Sequence, residues 1–388
     1  MVDNQQSRQL IQQSFAVRFD YPVLFTRNAF DVNNGELTEL LRIDKTDTKV
    51  LPVLDEGLLA ATPELVKKIQ SYFAKLDVKL LPAISMPGGE ACKNDPTLMD
   101  VIYNAVEKYA IDRHSYILVI GGGAVVDAVG YAAATAHRGI RLIRMPSTVL
   151  GQNDAGVGVK NAINYHKRKN YLGTFVPPYA VINDYALLDS LEARDKRAGI
   201  AEAVKVALIK DRTFFDELYE QKEELAQFSA SAMENMIYQG AKWHLQHIAH
   251  SGDAFEYGSA RPLDFGHWSA HKLEELSNNE LRHGEAVAIG IALDTIYSCK
   301  MGYLSEPEMI KVISLLDTLG FELSHPVIYQ MDVKKALNEF KEHLGGNLCI
   351  TLLHEIGRGF EAHEIDLATM QDAIQALQLD ELGNLTAA

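Results

Sequence analysis

The sequence predicts a chain in two halves, an α/β domain built on a parallel sheet over residues 1–183 and an all-α domain over residues 184–388. Three observations carry this. At 388 residues the chain exceeds what one hydrophobic core ordinarily serves. From residue 49 to 145 short apolar runs alternate with helical patterns, the rhythm of strands joined by crossover helices. From about Leu187 onward the apolar periodicity is helical almost throughout.

The predicted strands are residues 50–54, 79–84, 116–120 and 142–145, and the helices between them are 62–76, 97–109 and 124–136. Gly173, Pro177 and Pro178 mark residues 171–178 as a connecting loop. Helical patterns follow at 214–225, 232–247, 283–297 and 308–319. The mixed charges of residues 220–224 suit a solvated helix face, and residues 380–388 a frayed tail. A functional cleft is expected between the two halves.

A formal charge of −15 argues against a nucleic-acid or anionic-membrane surface and leaves small ligands as the expected partners. Cys92, Cys299 and Cys349 lie far apart without metal-ligand spacing, which suggests reduced thiols and a cytoplasmic setting. Residues 1–18 lack the continuous apolar stretch of a secretion signal, and no later run has the length of a membrane span.

The strongest chemical signal is a set of histidines. His267 and His271 are spaced i,i+4, so on a helix they share a face, and His283 opens an apolar helical run. With Glu202 from the upstream Gly-Ile-Ala-Glu-Ala-Val-Lys segment, one carboxylate and two imidazoles describe a metal site that keeps a position open for substrate. Taken singly, each residue has a plainer reading. A lone histidine in an apolar helix is more often a core residue, and Glu202 alone would be a helix carboxylate paired with Lys205 at i+3.

A second signal is the turn from strand 116–120 into helix 124–136, built from Gly121, Gly122 and Gly123. Glycines at a strand-to-helix turn let backbone approach a pyrophosphate at the positive helix end. The triplet lacks the G-x-G-x-x-G spacing, so by itself it is equally consistent with close packing in a Rossmann-like sheet. Asp55, at the end of a strand, can accept from ribose hydroxyls or cap a helix. Ser147 and Thr148 follow another strand and offer hydroxyls.

Read in order, Val53-Leu54-Asp55, Gly89-Glu90-Ala91-Cys92-Lys93, Gly121 to Asp127, Arg138-Gly139, Pro146-Ser147-Thr148, Asp154 with Gly158 and Lys160, Lys169 to Phe175, Gly199 to Lys205 and Phe265-Gly266-His267 resemble the 3-dehydroquinate synthase family of sugar-phosphate cyclases. The resemblance spans about residues 49–357. It implies NAD held by Asp55, Glu90, Lys93, Gly121, Gly122, Gly123, Asp127, Ser147 and Thr148, and zinc or cobalt on Glu202, His267 and His283. Asp154, Lys160, Lys169, Asn170, Lys205 and His271 are then expected to line a sugar-phosphate pocket, with Arg138 reaching a phosphate across a homodimer interface. The implied reaction is transient oxidation by NAD, β-elimination of phosphate, re-reduction and an intramolecular aldol closure.

The chain departs from that pattern in a consistent direction. Asp264 stands where the synthases have Asn, Gln246 where they have Lys, Arg261 is displaced by one residue, and the late Asp-Lys-Lys becomes Phe340-Lys341-Glu342 followed by His343. Cations are lost and an anion gained, which points to a substrate with less negative charge than a heptulosonate phosphate, such as sedoheptulose 7-phosphate. The 3-dehydroquinate synthase reaction itself is the first alternative. The second, a metal-dependent alcohol or glycerol dehydrogenase, would lack the phosphate-handling residues Asp154, Lys160, Lys169 and Asn170. A non-catalytic binding protein would have no need of an intact ligand set.

Overall fold

A computed structural model of the chain describes residues 10–41, 48–166, 168–256, 263–278, 280–344 and 346–377. Its first half is a seven-stranded sheet. In chain order the strands are Val23–Thr26 (β1), Lys49–Asp55 (β2), Lys79–Leu80 (β3), Ile84–Met86 (β4), Tyr116–Gly121 (β5) and Arg141–Pro146 (β6). A separate antiparallel hairpin, Lys160–Tyr165 (β7) and Arg168–Phe175 (β8), precedes the last sheet strand, Ala180–Asp184 (β9). The spatial order is β1-β9-β6-β5-β2-β3, with β4 also on β2, and every pairing in this sheet is parallel.

Alternation along the strands divides the sheet between two cores. Leu51, Val53, Ile117 and Val119 pack with Ile102, Val126 and Val129 on one face. Val50, Leu54, Leu118 and Ile120 pack with Leu58, Ile69 and Phe73 on the other. From β2 the chain moves outward to β3 and β4, then returns to β5 on the opposite side, so the direction of winding reverses between β2 and β5. Parallel sheets bind ligands in the crevice at such a reversal, and the strands end there in Asp55 and Gly121.

The second half is mainly helical. Its centre is the His283–Lys300 helix, buried on all sides from Ala286 to Ser298 and surrounded by Ala193–Lys210, His267–Leu276, Glu306–Thr318 and Leu367–Ala376. It also carries one hairpin, Ile350–Glu355 (β10) and Arg358–Ala362 (β11), which the helical periodicity did not reveal. Three local expectations need correction. Strand 79–84 is divided into β3 and β4 around Pro82, which has no N–H to give a sheet. Helix 214–225 is divided at Gln221 into Arg212–Glu220 and Lys222–Ala226. The stretch read as loop from Tyr171 is strand as far as Phe175, because β8 pairs with β7 and Gly173 lies opposite Ala162.

Candidate metal centre and cofactor cleft

Glu202 lies in the middle of the Ala193–Lys210 helix and is 1% exposed. Its Oε1 is 3.6 Å from His267 Nε2 and 3.3 Å from His283 Nε2, and its Oε2 pairs with Lys205 Nζ. The ligand atoms of Glu202, His267 and His283 all lie within 4.8 Å of one another. Three elements supply them, and two close approaches bring those elements together. A Cβ on Gly284 would meet Ala198 O at 1.9 Å, and one on Gly290 would meet Gly266 O at 2.0 Å. Gly266 also has φ +76°, a left-handed conformation that starts the His267–Leu276 helix and that other residues adopt only with strain.

The donor chemistry fits a divalent cation. Oε1 of Glu202 is buried without a well-formed hydrogen bond, a costly arrangement unless a cation satisfies it, while Oε2 has the Lys205 ammonium. His267 Nδ1 lies 3.1 Å from Phe265 O, which fixes the proton on Nδ1 and leaves the Nε2 lone pair facing Glu202. His283 is oriented in the same way by Glu274, whose Oε2 is 3.1 Å from Nδ1. Burial disfavours charge on both partners, yet the Glu202 and Glu274 carboxylates push His283 up to about 9, so its Nε2 carries a proton that a bound metal would displace, and His283 holds Glu274 down at about 2.

The other expected pocket residues fall around this cluster. His271 is solvent-exposed and sits 5.6 Å from His267 and 6.1 Å from His283, centroid to centroid. Desolvation, then the neighbouring His267 and His283, push His271 down to about 3 and keep it a neutral imidazole. Asp264 acts electrostatically on both Lys205 and His271. Asp154, on a π-helical turn at Gly151–Ala155, has Oδ1 2.8 Å from His244 Nδ1. Burial opposes its charge, but His244 and Lys205 hold it down at about 2. The turn is pinned by buried Arg144, which donates to Gly156 O, Gly158 O and Asn161 Oδ1, and by Asn153, which donates to Gly199 O of the Glu202 helix. Lys160 pairs with Glu256 at 2.7 Å. Lys169 reaches Glu274 at 3.3 Å and Glu90 at 3.7 Å.

On the cofactor side, Asp55 Oδ1 caps the Glu56–Ala61 helix through Gly57 N and Leu58 N, while Oδ2 approaches Gly122 N at 3.5 Å. Asp55 therefore plays the capping role and also stands in the crevice. Gly122 is the N-cap of the Gly123–Thr135 helix, with Thr148 packed against it. Buried Lys93 donates to Asp127 at 2.9 Å and to Asn170 Oδ1, and Asn164 links Glu90 to Asn94. Ser147 donates its N–H to Gly121 O, which sets the loop after β6 beside the glycine turn.

Not every expected residue is gathered. Arg138 is exposed at the far end of the Gly123–Thr135 helix, roughly 20 Å from the glycine turn at 1.5 Å per residue, and belongs to no site of the single chain. Lys341 is exposed on the Val333–His343 helix. Arg261 and the side chain of His343 lie outside the described residues. Gln246 is on the Ala230–His250 helix, where His244, not Gln246, is the residue paired with Asp154. Sequence reasoning missed His244, Glu274 and Asp294. Asp294 is buried and accepts from Gly266 N at 3.0 Å and Trp268 Nε1 at 2.9 Å, tying down the turn that presents His267. Glu274 had one available signal, its i+3 spacing from His271 on the helix face that carries His267.

The N-terminal model of 3-dehydroquinate synthase matches residues 83–198, and the C-terminal model matches residues 199–343. A 3-dehydroquinate synthase of Geotalea uraniireducens is 34% identical over 301 residues, covering 77% of this chain and 81% of its own. The chain belongs to the 3-dehydroquinate synthase family. Another relative under that name, from Halorhodospira halophila, is 29% identical over 83% of this chain and 93% of its own. Among solved structures, this family member is similar to a 2-epi-5-epi-valiolone synthase from Streptomyces hygroscopicus subsp. jinggangensis with NAD+ and Zn2+ bound, at a TM-score of 0.85, 27% identity and coverage of 95% and 99%. A 2-deoxy-scyllo-inosose synthase complexed with carbaglucose-6-phosphate, NAD+ and Co2+ shares the fold at a TM-score of 0.74 and 22% identity, covering 91% and 96%. The family's α/β sheet and helical half are thus the ones seen here. No helix among the described residues is long and apolar enough to cross a membrane.

Proposed function

We propose that this chain is an NAD- and divalent-metal-dependent cyclase of a seven-carbon sugar phosphate that carries no carboxylate, sedoheptulose 7-phosphate or a close analogue. The observation that carries the substrate reading is that the charge of Asp264, three residues before His267, reaches both Lys205 and His271. A substrate carboxylate there would meet a like charge, at a cost of about 4 kcal/mol for a 4 Å separation at an effective dielectric of 20. A sugar hydroxyl would instead donate to it.

Residues 1–183 would bind NAD in the crevice between β2 and β5, through Asp55, the Gly121, Gly122 and Gly123 turn, Ser147 and Thr148, with Glu90, Lys93 and Asp127 lining its edge. Residues 184–388 would hold the metal on Glu202, His267 and His283. When bound, NAD supplies a reversible oxidation of a secondary alcohol, and the metal supplies Lewis-acid polarisation of the sugar oxygens. The rest falls to the chain's own groups. Lys160 and Lys169 are paired with Glu256 and Glu274, and in this reading both exchange those partners for the substrate phosphate. Neutral His271 offers a lone pair to a substrate hydroxyl, while Asp154 and Asn170 orient the sugar. Arg138 would serve the site of a second copy in a homodimer. Free Cys92, Cys299 and Cys349 support a reducing, cytoplasmic setting.

A second reading, the 3-dehydroquinate synthase reaction itself, is favoured by the names of the curated relatives. Phosphate release from a panel of ketose and heptulosonate phosphates, assayed with NAD and zinc or cobalt, separates the readings. The proposal expects phosphate without matching accumulation of NADH, and preference for the carboxylate-free sugar. Preference for the heptulosonate would establish the second reading, and one NADH per substrate would make the chain a dehydrogenase.

A further inference from the structure

Glu274 is buried and divides its two oxygens between the two halves of the site. Oε2 orients His283 at 3.1 Å, and Oε1 accepts from Lys169 Nζ at 3.3 Å. The first partner belongs to the metal cluster in the helical half. The second comes from β8, in the antiparallel hairpin, and is exposed, so it remains accessible to a ligand in the cleft.

We infer that Glu274 couples anion binding at Lys169 to metal binding at Glu202, His267 and His283, so that each strengthens the other. The inference rests on the functional reading above for the metal and for phosphate at Lys169; the coupling residue is new to it. A carboxylate that accepts from the outer nitrogen of a ligating imidazole raises the basicity of the inner one, and such partners change metal affinity by about 10–100-fold. While Lys169 shares the carboxylate, part of that negative charge is spent on the ammonium. A phosphate that takes Lys169 returns it to His283. Linkage then requires the reverse effect, tighter phosphate once the metal is in place.

The test measures cobalt affinity by its absorption spectrum against a metal-buffering chelator, with and without inorganic phosphate, using sulfate and chloride as controls for ionic strength. The wild type should bind cobalt about fivefold more tightly in saturating phosphate, at the lower end of measured couplings. Glu274→Gln, nearly isosteric, should bind cobalt more weakly and lose the phosphate effect; Lys169→Gln should lose the effect and bind cobalt, without phosphate, about as tightly as the phosphate-saturated wild type. Unchanged cobalt affinity in wild type when phosphate is shown to bind overturns the coupling and leaves the functional reading intact. A full phosphate effect in Glu274→Gln also overturns it, since the anion would then act on the metal directly. Absence of cobalt binding in wild type sinks the functional reading and the coupling together, and phosphate affinity undiminished in Lys169→Gln removes Lys169 from both.

Discussion

A methyl group placed on Gly284 would lie 1.9 Å from the carbonyl oxygen of Ala198, which is backbone and has no freedom to turn away. The contact lies one residue from His283 and one helical turn from Glu202, so it sets the distance between these two candidate ligands. Gly284→Ala should therefore push the Ala193–Lys210 and His283–Lys300 helices apart. We expect a stability loss of about 1–3 kcal/mol from overpacking and a weakening of metal affinity of at least tenfold. Calorimetric melting and chelator competition measure the two effects, and retention of wild-type metal affinity would show that the ligand geometry does not depend on this contact.

His267→Ala and His283→Ala should each lose bound metal in elemental analysis while keeping wild-type far-ultraviolet circular dichroism. Full occupancy in both variants would refute the ligand assignment.

Asp294 provides a pH-dependent stability term. Burial pushes its carboxyl up to about 7, despite the hydrogen bonds from Trp268 and Gly266. Its folded value thus lies above the ordinary carboxylate value of about 4. The contribution is fully present below about pH 4 and is lost as pH rises through 7, at up to roughly 1.4 kcal/mol per pH unit. Urea unfolding from pH 4 to 8 should show this slope in wild type and not in Asp294→Asn. Equal slopes in the two proteins would mean that another group is responsible.

Lys93 is 3% exposed and forms the charged contact of Asp127 at 2.9 Å. Removing one partner of a buried pair leaves the other uncompensated, so Lys93→Met should cost about 3–5 kcal/mol. Lys93→Met with Asp127→Asn should recover part of that loss. A double variant no more stable than Lys93→Met would show that the pair is not coupled.

Asp264→Asn should shift preference toward a heptulosonate phosphate by removing the like charge facing its carboxylate. The ratio of kcat/KM for that substrate to kcat/KM for sedoheptulose 7-phosphate should rise by roughly tenfold or more, equivalent to about 1.4 kcal/mol. An unchanged ratio would remove Asp264 from substrate selection.

Local patterns were legible in the sequence because they depend on neighbours in the chain. Apolar runs marked β2, β5 and β6, glycines marked the turn into the Gly123–Thr135 helix, and His267 and His271 were placed on one helix face by spacing alone. Glu202 was joined to His267 and His283 by its own motif and by the chemistry of a carboxylate with two imidazoles, since periodicity does not relate residues 65 or more positions apart. What only tertiary structure decided is which groups face one another across elements. The pairing of His244 with Asp154, the division of Glu274 between His283 and Lys169, and the hold of Asp294 on Gly266 each join separate elements. They go with close approaches between elements, Gly240 against Asn153 beside the first pair, Gly284 against Ala198 beside His283 and Gly290 against Gly266 beside the last, distances that side-chain sequence patterns do not encode. Hairpin β7–β8 shows the same limit from the other side: Tyr171 to Phe175 read as loop because their strand character comes from pairing with β7, a non-local contact that overrides the local preference of Gly173.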